Sequence, residues 1–187
     1  EVLGNEVTQK GSLVSSEVLR FDFSYDKPVS ATEIIRIERL VNEQIQANTP
    51  ARIENMSIDE AMKQGAMALF GEKYGNDVRV LTMGTDNIID GQRKPFSIEL
   101  CGGLHVQRTG DIGVLKITSE SGIAAGIRRI EAVTGMNAIK NIQQSEQQLS
   151  ELASQLKVKR PEVAQRVRTM ADKQRELEKQ LERLEQK

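Results

Sequence analysis

The sequence predicts an α+β fold: a mainly antiparallel sheet with packed helices, followed by a C-terminal α-helical hairpin or coiled coil. Three observations carry this expectation. In "EVLRFDFSYD" the residues Leu19, Phe21 and Phe23 alternate with Arg20, Asp22 and Ser24, the period of a half-buried strand. In the next stretch Ile34, Ile37, Val41 and Ile45 recur at helical spacing behind a capping box of Ser30 and Glu33. Beyond Gly135 the texture changes to heptads. There Val163, Val167, Met170, Gln174, Leu177, Leu181 and Leu184 step by four and three.

From the N-terminal end, "EVLG" reads as the tail of a helix closed by Gly4 in a left-handed position. "EVTQ" and "SLV" read as short extended runs around a turn at Lys10-Gly11. Pro28 ends the strand that follows, and residues 31–48 form the amphipathic helix. "ARIENMSI" is extended, and a second capping box, Ser57 with Glu60, opens a shorter helix that stops near Gly71. "DVRVLTMG" is a strand. "NIIDGQRKPFSIELC" reads as a hairpin turning at Asp90-Gly91. "VLKITSES" and "GIRRIEAVTG" are two further strands separated by Gly122 and Gly126. In the tail, Ile142, Leu149 and Leu156 lie seven apart with Leu152 between, and "KVKRP" interrupts two helices, with Pro161 suited to the first turn of the second. Two domains are expected, 1–135 and 136–187. The tail's ordinary reading is an antiparallel hairpin closing on itself, because short helices need a partner surface. A dimerising or partner-contacting arm is the alternative.

Composition narrows the function classes. A net charge of −1 gives no global basic field of the kind that announces nucleic acid. Residues 1–135 carry 15 Lys and Arg against 19 Asp and Glu, while residues 136–187 carry 11 against 8, so the two parts are built differently. A single cysteine excludes an internal disulfide and fits a reducing cytoplasm. No apolar run approaches a membrane span, no signal peptide is visible, and with 3% aromatics and no Trp the core must be aliphatic.

That one cysteine and the one histidine, Cys101 and His105, lie four apart in "SIELCGGLHVQRTGDIG". Gly102-Gly103 argues against a helix, so a tight turn at a strand end should aim both side chains into one space. A thiolate and a neutral imidazole are good zinc ligands, but a tetrahedral site takes four protein ligands, or three and water. Taken alone, the pair reads first as a small buried Cys beside a surface His, because free Cys is so often simply buried. A nucleophile–base pair, with Glu99 as the orienting group, is a third reading.

The same stretch, followed by "ITSESGIAAGIRRIEAVTG" and preceded in order by "VTQKGSLV" and "LRFDF", resembles the editing domain of alanyl-tRNA synthetases, the second additional domain. It is shared more distantly with threonyl-tRNA synthetase and with freestanding alanyl editing proteins. The resemblance covers about residues 1–135, and the helical tail is similar to the segment that leads to the bacterial enzyme's C-terminal domain. It implies a fragment of such a synthetase: an aminoacyl-tRNA deacylase module that hydrolyses seryl- or glycyl-tRNA(Ala), in support of ATP-dependent alanylation by the full protein. No nucleotide-binding signature occurs here, so ATP is expected only in the full synthetase.

The resemblance also implies that zinc is held by an H-x3-H pair upstream of Glu1 together with Cys101 and His105, so that this chain alone carries half a site and is inactive. It makes Gln9, in "TQKGS", an editing residue beside Cys101 and His105. Lys10, Arg108, Arg128 and Arg129 become candidate contacts for the phosphates of the tRNA(Ala) acceptor end. Arg128 and Arg129 are adjacent in a strand, so at most one can face the groove. Leu104 departs from the threonine common at this position, and a local packing change is expected there. The partners implied are tRNA(Ala) and the rest of the synthetase, with self-association through the heptad arm; neither a membrane nor DNA is expected. The competing readings are a non-catalytic tRNA-binding or assembly module, and a freestanding trans-editing deacylase.

Overall fold

In a computed structural model of the chain, residues 2–4, 6–68, 75–89 and 92–185 are described. The elements begin with β1 (Gln9–Val14), β2 (Leu19–Ser24), α1 (Ala31–Gln46), β3 (Arg52–Ser57), α2 (Ile58–Lys63) and β4 (Asp77–Met83). They continue with β5 (Asn87–Ile89), β6 (Gln92–Lys94), β7 (Ser97–Leu100), β8 (Leu115–Ala124), β9 (Ile127–Thr134), α3 (Gly135–Leu156) and α4 (Val163–Glu185). Every strand pairing in the sheets is antiparallel, as the α+β expectation requires. Two compact units emerge, Glu1–Ile139 and Lys140–Lys187.

The first unit holds two sheets with separate cores. A four-stranded sheet runs β1-β2-β9-β8. Its buried residues Phe23, Val29, Ile117, Ile130 and Ala132 meet Ile34 and Ile37 of α1, so the helical stripe and the strand alternation seen in the sequence are two sides of one contact. The capping box at Ser30 and Glu33 forms as expected. α1 also shields the edge strand β8. Asn42 donates from Nδ2 to the Leu115 carbonyl and accepts the Leu115 N–H at Oδ1, both at 2.9 Å. Glu38 takes the Ile117 N–H at 2.7 Å and the Lys116 ammonium at 2.8 Å. Side chains of the helix thus occupy backbone groups that an open edge would offer to another chain.

A three-stranded sheet runs β3-β4-β7, with Val78 and Val80 packing on Ala61 of α2 and on Leu100. The second capping box forms, but α2 ends at Lys63, because Gly65 at φ +82° takes the left-handed conformation that stops a helix. Gly71, where the sequence reading ended this helix, lies outside the described residues. So does the turn at Asp90-Gly91, although the strands flanking it, β5 and β6, do pair. The expected turn at Lys10-Gly11 is instead a β-bulge: β1 runs on, and a register shift between Gln9 and Gly11 absorbs the extra residue. Gly4 does adopt positive φ, +98°.

In the second unit, the break expected at "KVKRP" is a complete Schellman stop. Lys157 takes φ +55°, its N–H bonds the Ser154 carbonyl, and the Val158 N–H bonds the Ala153 carbonyl. Pro161 then sits in a 3-10 turn, Arg160–Glu162, that leads into α4. The long C-terminal helix forms where the heptads predict it. Its seam from Val167 to Leu184, however, stays 49–68% exposed at the apolar positions, so α4 does not close onto α3 along that length. Among the described residues, no helix is long and apolar enough to cross a membrane.

Candidate metal centre

The site is built at the end of β7. That strand pairs with β4 through Val80↔Leu100 and Leu81↔Glu99, and the ladder then stops. Past its end the Cys101 N–H donates to the Arg79 carbonyl at 3.1 Å. The side chain of the same arginine reaches over the turn: Arg79 Nη1 donates to the carbonyls of Cys101 at 3.0 Å and Gly103 at 2.6 Å. The turn that the two glycines permit is therefore held from both ends by one residue of the neighbouring strand.

This curl brings Cys101 and His105 to one space. A methyl group placed on Gly103 would lie 3.7 Å from Cys101 Sγ and 3.8 Å from His105 Nε2, so the thiol and the imidazole flank the same point above the glycine. His105 Nε2 is buried and has no hydrogen-bond partner among the described residues. Burial pushes the His105 pKa below its ordinary 6.5; the Arg79 cation adds to this, and Glu99 opposes it. The ring is thus neutral at physiological pH, with a buried nitrogen facing a thiol. A buried imidazole nitrogen without a partner is an exception among native polar groups, and a neutral imidazole beside a thiol is the donor set a borderline-soft metal takes. The pair fits half of a zinc site. Among the described residues no third His, Cys, Asp or Glu completes it.

The nucleophile–base reading fares differently. No hydrogen bond joins Cys101 to His105 among the described residues. Glu99, the would-be orienting group, accepts from Ser97 Oγ at 2.8 Å. Leu104, between Cys101 and His105, is fully exposed, so the packing change expected of it has nothing to act on.

The other candidate residues lie elsewhere. Gln9 opens β1 on the four-stranded sheet and donates from Nε2 to Ser12 Oγ at 3.3 Å; no described hydrogen bond ties it to Cys101 or His105. Lys10 occupies the bulge with an exposed side chain. The three arginines are not gathered into a basic patch. Arg108 donates to the Asn48 side chain at 3.0 Å and to the Asn48 carbonyl, supporting a residue held at φ +49°. Arg128 grips Glu120 with two bonds of 2.6 and 2.7 Å, and Arg129 grips Asp22 with two of 2.7 and 2.8 Å. Register explains the divergence. Arg128 stands opposite Phe23 on the helix-covered face, and Arg129 opposite Asp22 on the other. Each arginine's bonds hold its carboxylate partner below the usual range.

Arg79 is the residue the sequence reading missed. It stands between Val78 and Val80, where alternation marks only an outward-facing strand position. The signal that would have found it is the pairing of β4 with β7, which puts Arg79 beside the end of the strand carrying Cys101.

Residues 78–131, which run from β4 into β9 and include Arg79, Cys101 and His105, match the family described as the threonyl and alanyl tRNA synthetase second additional domain. The whole chain is 95% identical to an alanine–tRNA ligase of Psychrobacter cryohalolentis and 51% identical to one of Stenotrophomonas maltophilia. A 53% identical match covers the full chain against the corresponding ligase of Methylococcus capsulatus. The chain spans about a fifth of the length of these curated relatives, 21%, 20% and 20% respectively.

Proposed function

Starting from a chain homologous end to end to one segment of the alanine–tRNA ligases, and carrying their second additional domain, we propose that it is an editing module. It hydrolyses the ester that links serine or glycine to tRNA(Ala), and its partners are the tRNA acceptor end and the rest of a cytoplasmic synthetase. The carrying observation is the shared space of Cys101 and His105, with its unpartnered imidazole nitrogen, inside the matched domain.

Chemistry explains why such a module is needed. A pocket built for a methyl side chain cannot strongly reject glycine or an analogue with one added hydroxyl, so a second hydrolytic site restores fidelity. Cys101 and His105 would hold zinc from one side, with two histidines of the preceding segment completing the set. Bound zinc would supply Lewis acidity, polarising the ester carbonyl or lowering the pKa of a water. The protein's own contribution is positional. Burial keeps His105 neutral and its lone pair available, and Arg79 fixes the turn. Leu104, between Cys101 and His105 in the sequence, is fully exposed. With half of the ligands, the 187-residue chain is inert alone.

The test compares deacylation of seryl-tRNA(Ala) by this chain and by one extended through the upstream segment. Activity confined to the extended chain, and lost in Cys101→Ala, supports the reading. Equal activity in both chains would overturn the metal assignment.

One observation favours a second reading, an assembly module. The exposed α4 seam, with polar Gln174 at one core position, has the pattern of a helix that pairs with another copy. Sedimentation equilibrium of the chain against Leu177→Lys tests it: a dimer that dissociates on substitution supports self-association, and a monomer in both cases excludes it.

A further inference from the structure

We infer that Arg79 is a positioning residue for the metal centre: it fixes the turn that aims Cys101 and His105 at a common point. The inference rests on the zinc reading above and extends it to a residue that is not a ligand.

Three contacts from one residue converge on the turn. The Arg79 backbone carbonyl accepts the Cys101 N–H, and its guanidinium donates to the carbonyls of Cys101 and Gly103. Those two carbonyls are two residues apart. When both point at one guanidinium nitrogen, the peptide planes between them are fixed in rotation, and the direction of the Cys101 side chain is fixed with them. Gly102 and Gly103 are the residues least able to hold that shape alone, since glycine has the widest backbone freedom. No other described side chain bonds to this turn, so a conformation the sequence leaves loose is set by a group on another strand. Arginine suits the task. Its planar fork is pre-organised, so little freedom is lost per bond formed, whereas a lysine ammonium on a flexible stem would satisfy the carbonyls with weaker directional control. Groups that orient metal ligands without touching the metal change affinity by about 10–100-fold when removed.

The experiment uses the full-length ligase that the preceding reading implies. Cobalt(II) replaces zinc, and its binding is followed by the thiolate-to-cobalt charge-transfer band, with Cys101→Ala as reference and circular dichroism as the check on folding. Arg79→Gln should weaken cobalt binding about 10–100-fold and shift or diminish the band while the circular dichroism spectrum is retained. Arg79→Lys should fall between Arg79→Gln and wild type, and it decides the matter alone should Arg79→Gln fail to fold. Cobalt affinity and band within twofold of wild type in a folded variant would overturn the inference while leaving the metal reading intact. A wild-type band that is absent, or that survives Cys101→Ala, would overturn both.

Discussion

On the four-stranded sheet Asp22 and Glu120 each accept two bonds from an arginine, whereas beyond the three-stranded sheet His105 keeps a buried nitrogen that bonds nothing among the described residues. Both regions are polar and both are part of one compact unit. The two arginine–carboxylate pairs are satisfied by each other, whereas the His105 nitrogen, like Arg20 Nε on β2 and Thr49 Oγ1, has no partner among the described residues; what sets His105 apart is the thiol that shares its space. Paired charges in a half-buried sheet act as struts, and their donors and acceptors are spent on each other. A polar atom buried and left open carries a desolvation penalty. The contrast sets charges paired with each other against a neutral imidazole beside a thiol.

The largest effect should come from breaking a strut. Glu120→Ala leaves Arg128, whose side chain is 17% exposed, without its carboxylate, and it also removes the acceptor for the Val29 N–H. A loss of about 2–4 kcal/mol in urea unfolding is expected, mostly the penalty of a stranded, half-buried charge. Asp22→Asn should cost less, about 1–2 kcal/mol, because the amide still offers Arg129 one acceptor. If either change is silent, the pairs are ornamental and the contrast fails.

The same struts fix the acid limb of stability. Asp22 and Glu120 have folded pKa values depressed below 3.8 and 4.5, chiefly by hydrogen bonds from Arg129 and Arg128. Carboxylates of that kind contribute stability that is complete above the unfolded value and is lost as pH falls through the folded one. Unfolding free energy should therefore drop below about pH 4.5, and Asp22→Asn should flatten that decline. His105 acts in a different window. Its folded pKa lies below 6.5, so the unfolded chain binds the extra proton first, and stability declines as pH falls from 6.5 toward the folded value. His105→Gln should abolish this upper segment alone.

How much of this could be read from residues depended on the range of the interaction. Both capping boxes, at Ser30/Glu33 and Ser57/Glu60, are contacts three residues apart, and both form. Strand alternation named the buried face of β2 because Phe23 needs only its own neighbours to reveal its side. The shared space of Cys101 and His105 was likewise foreseeable from two glycines in four residues. What escaped were choices made by distant partners. Whether Lys10-Gly11 turns or bulges depends on how long β2 continues to pair with β1. Whether Arg128 and Arg129 face a ligand depends on acidic residues 8 and 107 positions away. Arg79 reaches 22 and 24 positions along the chain, and no local pattern marks such a reach. The heptads of α4 showed a seam but could not name its cover, because the seam is equally apolar with or without a partner.

The smallest effect on stability should come from the site itself, and that makes it the sharpest test. Gly103 is not held at positive φ, and a methyl group there would meet Cys101 Sγ and His105 Nε2 at ordinary contact distances. Gly103→Ala should therefore fold as wild type, with unfolding free energy unchanged within about 0.5 kcal/mol or slightly raised, since alanine restricts the unfolded chain. The added methyl fills the space the two donors face. Cobalt binding to the full-length ligase, followed by its charge-transfer band, should accordingly fall steeply in this variant. A variant that is stable yet cannot bind metal would show that the space is kept open for a ligand. A variant that binds cobalt as wild type would mean that the two donors converge on some other point, and the contrast with the arginine–carboxylate pairs would then lose its functional meaning.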